Sequence, residues 1–398
     1  MPGQPREGAG HVLIVVENLP MGIDHRIRKQ VDDLHASGYR VSVVTRSDPA
    51  NGRYRDRPGI TVLEYPAPRE PRGKIGYVGE YGASFCWAVV LSLAVRLRSR
   101  VDVVQFCQPP DIYFPLAWVL RGLGAKVVAE QRDLMPELFA ARYDRASPVL
   151  MSVLRWLERR TQRAVHHSLC TNETARRRLI GAGAAPETVT IVGNGPILRR
   201  VGAAAADHAL RGERKFLCCW VGMMGRQDRV DLLLHAIAHI VHDLGRTDCG
   251  FAIVGDGECL AEARAQSARL GLQSWVEFPG WLPEDQVFSY LATADLGLDT
   301  SLQGEISPVK LLEYMAFGLP FVAFDIAETR VMGKDASVLV PPGDVESYAQ
   351  QVAALLDDAA RRYELGAVGR ERVRSDLSWE RQSVGYLKVM RRLSRRSR

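Results

Sequence analysis

The stretch His11-Val-Leu-Ile-Val-Val16 is a short apolar run rich in β-branched residues, and it predicts a buried β-strand. A polar, amphipathic segment from Arg26 to Ser37 follows, and Gly38 then precedes a second run of the same kind, Arg40-Val-Ser-Val-Val-Thr45. Strand, helix and strand in this order form the opening of a parallel sheet with crossover helices. This stretch therefore predicts an α/β fold.

The same alternation continues along the chain. Further strand-like runs occupy residues 101–106, 126–129, 189–192, 216–221, 251–254, 275–278, 295–298 and 321–324. An alanine-rich polar stretch from Arg199 to Arg214 interrupts the alternation and is the best linker candidate. We predict two facing, Rossmann-like, doubly wound domains, residues 1–195 and 196–372, with a C-terminal helix and basic tail at 373–398 that crosses back to the first domain. In such sheets ligands bind at the carboxyl ends of the strands, so the cleft between the domains is the expected site.

The composition suits two globular cores, because 46% of the 398 residues are hydrophobic and 25% are charged. No unbroken apolar stretch reaches the length of a membrane span, and the polar segment Met1 to Gly10 lacks an apolar signal core. The seven cysteines are scattered without metal-ligand or redox spacing. We therefore expect a cytoplasmic protein with reduced thiols and no metal site.

The net charge of +6 is unevenly distributed. Residues 1–200 hold 29 basic and 19 acidic residues, and the last eleven residues, Lys388 to Arg398, carry six basic residues and no acid. A basic half could meet nucleic acid, anionic lipid or a phosphorylated substrate. No DNA- or RNA-binding motif accompanies the charge, so we expect no nucleic-acid partner.

The densest motif is Gly304-Glu-Ile-Ser-Pro-Val-Lys-Leu-Leu-Glu-Tyr-Met-Ala-Phe-Gly-Leu-Pro320. Ser307 is a suitable N-cap, Pro308 suits the first helical position, and Gly318 is a suitable stop. The motif therefore predicts a helix from Pro308 to Phe317. The free N–H groups and the positive dipole end of its first turn form a ready anion site.

Lys310 lies in that first turn, where a cation is unfavourable unless an anion is present, so it predicts a bound phosphate. Glu313 lies one turn further and could accept both hydroxyls of a ribose, while Glu305 precedes the helix where it could meet a sugar. The alternative is that Lys310 and Glu313 form a surface ion pair and that Glu305 is a solvated loop acid.

Glu305 through Glu313 resembles the motif of two glutamates separated by seven residues in glycosyltransferase family 4, which has the GT-B fold. Glu313 to Pro320 resembles a bacterial branch of that family found among surface-polysaccharide enzymes. Further stretches resemble the family: Gly193-Asn-Gly-Pro196, Val221-Gly-Met-Met-Gly-Arg-Gln-Asp228, Val230-Asp231, Gly255-Asp-Gly257, Phe278-Pro-Gly280, Val322-Ala-Phe-Asp325 and Glu328-Thr-Arg330. The resemblance implies a C-terminal domain that binds a nucleotide sugar, an N-terminal domain that binds the acceptor, retention at the anomeric carbon, and no metal or other cofactor.

The resemblance also implies roles for particular residues. Glu305 would lie against the transferred sugar, Glu313 would hold the ribose, and Lys310 would bind the diphosphate. Additional candidate donor-binding positions are Gln227, Trp281, Ser307 and Leu311.

A glycine-rich loop begins at Gly222. Many family members have Arg directly after this glycine and Lys five residues beyond it, whereas this chain has Met223 and Asp228. Arg226 is the nearest cation and is our candidate second contact to the diphosphate. An exposed loop arginine without a ligand is the alternative.

Two loops of the N-terminal half complete the candidate set. Family members usually have a His before Asp133 that contacts the donor sugar, but this chain has Arg132, which could still bind sugar hydroxyls or phosphate. We include Arg132 and Asp133 in the catalytic set, with helix capping as the alternative for Asp133. The loop after the first strand resembles the branch with a Pro-x-x-x-Asp-x-Arg loop, which makes Gly22 and Arg26 donor-binding candidates.

These features predict a retaining glycosyltransferase that moves a sugar from a nucleotide diphosphate donor, with UDP favoured, to a glycan, lipid-linked or small-molecule acceptor. Biosynthesis of cell-surface polysaccharide or glycolipid is the favoured context. A transferase of a secondary-metabolite pathway, a degenerate scaffold without turnover, and an epimerase or phosphorylase remain alternatives. The segment Phe85 to Arg100, apolar and then basic, could lie with the basic tail on the inner face of the plasma membrane, or it could be a packed helix with a solvated end.

Overall fold

The structure, a computed structural model, describes residues 9–66, 73–136, 139, 147–302 and 308–395. These residues form two compact units. The first comprises Met1–Gly193 together with Ser383–Arg398, and the second comprises Asn194–Gln382. The predicted domain boundary, between residues 195 and 196, lies two residues beyond this division.

The first unit contains a seven-stranded parallel sheet in the order β3-β2-β1-β4-β5-β6-β7. Its strands are β1 His11–Val15, β2 Arg40–Arg46, β3 Ile60–Tyr65, β4 Val103–Gln108, β5 Lys126–Gln131, β6 His167–Cys170 and β7 Val189–Ile191. Its helices are α1 His25–Ala36, α2 Gly52–Arg55, α3 Gly73–Arg98, α4 Phe114–Gly122, α5 Pro148–Ala164 and α6 Glu173–Gly181.

The second unit contains a six-stranded parallel sheet in the order β10-β9-β8-β11-β12-β13. Its strands are β8 Phe216–Val221, β9 Cys249–Val254, β10 Val276–Gly280, β11 Leu296–Asp299, β12 Phe321–Phe324 and β13 Ser337–Val340. Its helices are α7 Leu198–Val201, α8 Val230–Ala238, α9 Leu260–Arg269, α10 Glu284–Thr293, α11 Val309–Phe317, α12 Ala327–Gly333, α13 Val345–Asp357 and α14 Ala359–Arg372. A last helix, α15 Trp379–Ser394, begins in this unit and ends in the first.

Both sheets have the doubly wound order, in which the chain changes direction along the sheet once. This switch falls between β1 and β4 in the first unit and between β8 and β11 in the second. Loops that leave the two central strands in opposite directions open a crevice there, which is where such sheets bind ligands. The predicted α/β class with two Rossmann-like domains is confirmed.

Some local predictions were wrong. Strands β3, β6 and β13 were missed: β6 and β13 have only four residues each, and the apolar residues of β3 are mixed with Thr61 and Glu64. The stretch from Arg199 to Arg214 is not a free linker, since Arg200 pairs with Glu284 at 2.9 Å and the backbone N–H of Asp207 donates to Thr293, both within the second unit. The side chains of its many alanines are small, so they form no pattern in the sequence that would predict this packing.

The end of the chain is divided between the units. Residues 373–382 belong to the second unit, and 383–395 pack on the first sheet. There the fully buried Tyr386 donates its hydroxyl hydrogen to Gln105 of β4 at 2.8 Å. Arg392 contacts His167 of β6 at 2.7 Å. Helix α15 therefore covers one face of the first sheet.

Candidate functional site

The switch point of the second sheet collects the main C-terminal candidates. Gly222 follows β8, Asp299 ends β11, and Lys310 lies in the first turn of α11. A Cβ atom built on Gly222 would lie 3.3 Å from Lys310 Cε and 3.2 Å from the ring of Trp220. The glycine loop and the helix N-terminus predicted to bind a diphosphate are therefore brought together.

The glycine-rich loop lies directly against the turn after β9. Gly222 has a φ of 155°, and a Cβ on Gly255 would lie only 1.8 Å from the Gly222 carbonyl oxygen. The backbone N–H of Met224 donates to Asp256 at 2.8 Å, and a Cβ on Gly257 would collide with the Met224 backbone. Gly255-Asp-Gly257 is therefore required for close backbone packing, which fixes the shape of the Gly222 loop.

Lys310 is buried rather than exposed. Its Nζ donates to Asp228 at 2.7 Å and to Asp299 at 3.2 Å, and it lies 4.6 Å from the centre of the Trp220 ring. The exposed fraction of Lys310 is 8%, and that of Asp299 is 0%. The alternative of a surface ion pair with Glu313 is therefore wrong, because Lys310 is held inside by two carboxylates.

These contacts change the electrostatics expected of Lys310. Burial by itself lowers the pKa of Lys310, but Asp299 and Asp228 outweigh it, so the pKa lies above its ordinary value. The ammonium is thus firmly protonated, yet two carboxylates more than balance its charge. Many family members have a lysine at the position of Asp228. In this chain the loop instead has a carboxylate there, and that carboxylate pairs with Lys310.

The start of α11 differs slightly from the prediction. The helix begins at Val309, and Pro308 occupies the N-cap position with φ −72° and ψ 102° and no side-chain capping bond. Gly318 ends the helix in the left-handed conformation, as predicted. Glu305 and Ser307 lie outside the described residues.

Other candidates around α11 and the loops have different environments. Glu313 is half-buried, one turn along α11 from Lys310. Leu311 is fully buried in the core, so its side chain packs between α11 and the sheet, and the predicted donor contact is not one that this side chain makes. Arg226 and Gln227 are exposed, and Trp281 is 70% exposed beside Gly280, whose carbonyl accepts from Gly255. Exposed side chains at this edge are available to a ligand.

The first unit has a buried ionic network on the face covered by α1 and α15. Its centre is Glu130, which is 0% exposed and is the last residue but one of β5. Arg26 donates to Glu130 at 2.8 Å and also to the carbonyl of Val192 at 2.8 Å, while Arg132 contacts both Glu130 and Asp24. The side chains of Gln30 and Gln105 donate to Glu130 as well.

This network engages two residues predicted to meet the donor. Burial raises the pKa of Glu130, but Arg26 and Arg132 outweigh it and bring the pKa to about 2. Two guanidinium groups thus face two carboxylates, Glu130 and Asp24, and both arginines are structural partners of this network. Arg26 is only 5% exposed, so its predicted contact with a donor would require the network to open.

Asp133 differs from its neighbour Arg132. Burial raises the pKa of its carboxyl group, against the opposing effect of Arg132 and Arg26. Gln131 donates to the backbone carbonyl of Asp133 at 2.9 Å. The helix that the Asp133 side chain would cap extends beyond the described residues. A half-buried carboxylate of this kind is suited to accepting a hydrogen bond from a hydroxyl group.

Gly22 has a packing role. A Cβ on Gly22 would lie 2.2 Å from the backbone of Ala50, and its N–H donates to Asn51 at 2.8 Å. The glycine is therefore required by the turn after β2, whether or not a donor also approaches it.

Helix α3 contains the predicted membrane segment. Among the described residues, Gly79–Arg98 is the one helical stretch long and apolar enough to cross a membrane by length and composition, and 22% of it is buried. Trp87 and Val90 are 42% and 57% exposed, while Ser92 and Val95 are buried against the unit. The helix therefore has one packed face and one exposed apolar face, and core helices of other proteins satisfy the same length test.

Several residues of these networks were not singled out from the sequence. They are Trp220, Asp299 and, as the centre of its network, Glu130. Position at the carboxyl end of a predicted strand was the available signal for Asp299 and Glu130, whereas only the fold brings them to their partners. Among the residues that the structure describes, no group of three or more His, Cys, Asp or Glu side chains is placed to hold a metal ion.

The chain matches two family models. Residues 21–195 match the glycosyl transferase 4-like domain, and residues 215–358 match glycosyl transferases group 1. Together these regions cover most of both units. The second match contains both β8 and α11, which carry the glycine loop and Lys310.

Relatives and solved structures agree with this assignment. The chain is 28% identical over 341 residues to the 2-deoxystreptamine glucosyltransferase of Streptomyces kanamyceticus, covering 81% of this chain and 86% of that one. It is 27% identical to the 2-deoxystreptamine N-acetyl-D-glucosaminyltransferase of Streptomyces fradiae, covering 92% and 91%. The fold is similar to that of the Anabaena protein HepE in complex with UDP, with a TM-score of 0.72, 15% identity and coverage of 96% and 99%. With these matches and its two doubly wound sheets, the chain belongs to the family 4-like glycosyltransferases of the GT-B fold.

Proposed function

We propose that this enzyme transfers a sugar from a nucleotide diphosphate sugar, with UDP favoured, to an acceptor hydroxyl with retention at the anomeric carbon. The observation that carries the proposal is the approach of the Gly222 loop to Lys310 and the N-terminus of α11 at the switch point of the second sheet. Backbone N–H groups and a helix dipole aimed at one place stabilise a leaving diphosphate without reorganisation. The UDP-bound HepE structure is consistent with the choice of nucleotide.

In this proposal the second unit holds the donor and the first unit holds the acceptor. Glu313 binds the ribose, and Glu305 lies near the transferred sugar. Lys310 is already paired with two carboxylates, so it neutralises the phosphate charge only in part. The exposed Arg226 supplies further positive charge. No metal or other cofactor takes part, because helix N-termini and cations stabilise the phosphate charge. Turnover in the presence of EDTA, with no gain on adding magnesium, is the expected result.

Two contexts for the reaction differ in the acceptor. Surface-polysaccharide or glycolipid biosynthesis follows from the motif branch seen in the sequence. A secondary-metabolite pathway is favoured by the two Streptomyces relatives, which align over most of their length and whose names specify a small aminocyclitol acceptor. Release of UDP with each acceptor class, followed by NMR assignment of the product anomer, tests both the transfer and its stereochemistry. An inverted anomer would contradict the proposal.

A degenerate scaffold without turnover is the competing function, and the counter-charges on Lys310 motivate it. Asp228→Asn removes one of these charges while keeping an oxygen for the backbone N–H of Gly225. If phosphate binds beside Lys310, UDP affinity should rise at least about fivefold, since removing one negative charge near the phosphate is worth about 1 kcal/mol or more. Asp231→Asn, at an exposed ion pair with Arg229, is the control and should leave affinity unchanged. UDP binding without any turnover on a panel of UDP-sugars would favour the scaffold.

We further propose a cytoplasmic location with peripheral attachment to the inner face of the plasma membrane through the exposed face of α3 and the basic tail. Binding of this kind is sensitive to salt, because the Debye length is only about 8 Å at physiological ionic strength. The protein should sediment with anionic vesicles at low salt and be released at high salt. Equal sedimentation with neutral vesicles would contradict the electrostatic attachment.

A further inference from the structure

The first sheet has a second polar edge, on the face opposite to the Glu130 network. Side chains alternate between faces along a strand, so every second residue of β1, β4 and β5 points toward α3 and α4. Each of these rows is apolar and buried until its last member, which is polar. The rows are Leu13 and Val15 of β1, continued by Glu17 two residues beyond the strand; Val104, Phe106 and Gln108 of β4; and Val127, Ala129 and Gln131 of β5.

Glu17 is the charged member of this edge. It is only 2% exposed, and within the described part of the chain it accepts one long hydrogen bond, of 3.3 Å, from Ser84 of α3. Glu80, also on α3, faces it as a second carboxylate, and Arg46 at the end of β2 pairs with Glu80 at 3.5 Å. Among the described residues one guanidinium therefore faces two carboxylates, so these three groups together carry a net negative charge when both acids are ionised.

Burial and the nearby Glu80 raise the pKa of Glu17 to about 7, with Arg46 and Ser84 opposing the shift. Two phenols, Tyr65 of β3 and Tyr113 before α4, also lie near Glu17; burial raises the pKa of both, and the charge of Glu17 raises it further. At the same edge the fully buried carboxylate of Asp111 accepts a hydrogen bond from Gln131 at 3.4 Å. The charge of Glu17 therefore changes near neutral pH.

An independent observation indicates a ligand here. The hydroxyl of Tyr113 is buried and, among the described residues, has no hydrogen-bond partner, and Tyr113 is itself only 1% exposed. The Oε1 atoms of Gln108 and Gln131, at the ends of adjacent strands, likewise have no partner within the described part of the chain. Buried polar atoms in proteins are nearly always paired with protein or ordered water, so atoms left unpaired at one edge are available to a ligand.

We propose that this edge, formed by Glu17, Tyr113, Gln108 and Gln131, binds the acceptor and selects a polyhydroxylated ring that carries an ammonium group. The inference rests on the proposed function for the identity of the ligand as an acceptor. The unpaired atoms are mainly acceptors, so the site fits a ligand rich in donors. A neutral polyol supplies hydroxyl donors, but only an ammonium group also compensates the excess negative charge. The ammonium lies against Glu17, and the ring hydroxyls meet the amide oxygens and the phenol.

Isothermal titration of the whole protein, saturated with UDP, with a diaminocyclitol and with myo-inositol tests the site. The ammonium ligand requires ionised Glu17, so its affinity should fall roughly 25-fold between pH 7.5 and pH 5.5, as expected for a group with a pKa of about 7. The affinity for myo-inositol should change little over this range. Glu17→Gln should abolish both the preference for the diaminocyclitol and its pH dependence, whereas Glu173→Gln, an exposed acid on α6, should alter neither.

Tyr113→Phe is a second variant, which should weaken both cyclitols without changing the pH dependence. It keeps the test decisive if Glu17→Gln does not fold. Unchanged diaminocyclitol binding in Glu17→Gln, or equal loss of both ligands with pH, would overturn the inference. A UDP titration of the same preparations separates the two proposals. If the wild-type protein does not bind UDP, the result counts against the proposed function and not against a ligand at this edge.

Discussion

Replacing Lys310 with Met tests the most consequential contact of the second unit. The substitution keeps an unbranched side chain against Trp220 but removes the ammonium that Asp228 and Asp299 share. Since both carboxylates contact one nitrogen, they lie within about 6 Å of each other. At an effective dielectric constant of about 20, their repulsion is about 3 kcal/mol, and removing one side of a buried ion pair costs about 3–5 kcal/mol.

For a unit of this size, such a loss lowers the melting temperature by roughly 6–20 °C. Differential scanning calorimetry near pH 7 would measure it, with the exposed Lys388→Met as the control. Adding Asp228→Asn to Lys310→Met should recover much of the loss, because a single carboxylate has no partner to repel. The raised pKa of Lys310 means that its contribution is fully present below about pH 10.5 and is lost as the pH rises through the folded-state value. A melting temperature within about 2 °C of the wild type would refute the buried ion pair.

Three further outcomes follow from the other networks. Glu130→Gln should lower the free energy of unfolding by about 3 kcal/mol at pH 7. In the wild type this contribution of Glu130 is present above the unfolded-state pKa of about 4.5 and should disappear as the pH falls toward 2. Urea unfolding across that pH range would measure it. Glu17→Gln should instead raise the free energy of unfolding by roughly 3 kcal/mol at pH 8 and change it little at pH 4.5. The reason is that the raised pKa of Glu17 means that its ionised form destabilises the fold. Lower stability of the variant at pH 8 would contradict this. Glu313→Ala should weaken UDP binding roughly ten- to a hundred-fold, whereas Glu305→Ala should spare UDP binding and slow single turnovers, and equal loss of UDP affinity in both would contradict the separate roles.

The sequence was sufficient for the fold class and for the position of helix α11. Runs of β-branched residues such as His11–Val16 and 216–221 alternate with amphipathic stretches, and that local pattern determines parallel sheets with crossover helices. Gly318 as the stop of α11 was equally predictable, because only a residue without a Cβ adopts that left-handed turn easily. These features depend on neighbours in the chain, so the sequence alone determines them.

The charge state of the site was decided by tertiary structure. Nothing near Lys310 in the sequence indicates that Asp228, 82 residues away, would neutralise it, and Arg26 gives no local sign of its partner Glu130. In the same way Glu17 appears as a loop acid until α3 and Tyr113 enclose it. Ion pairs and desolvation depend on distance and burial in space, which the order of residues does not contain, so the sequence located the candidate residues while the fold determined which of them are compensated.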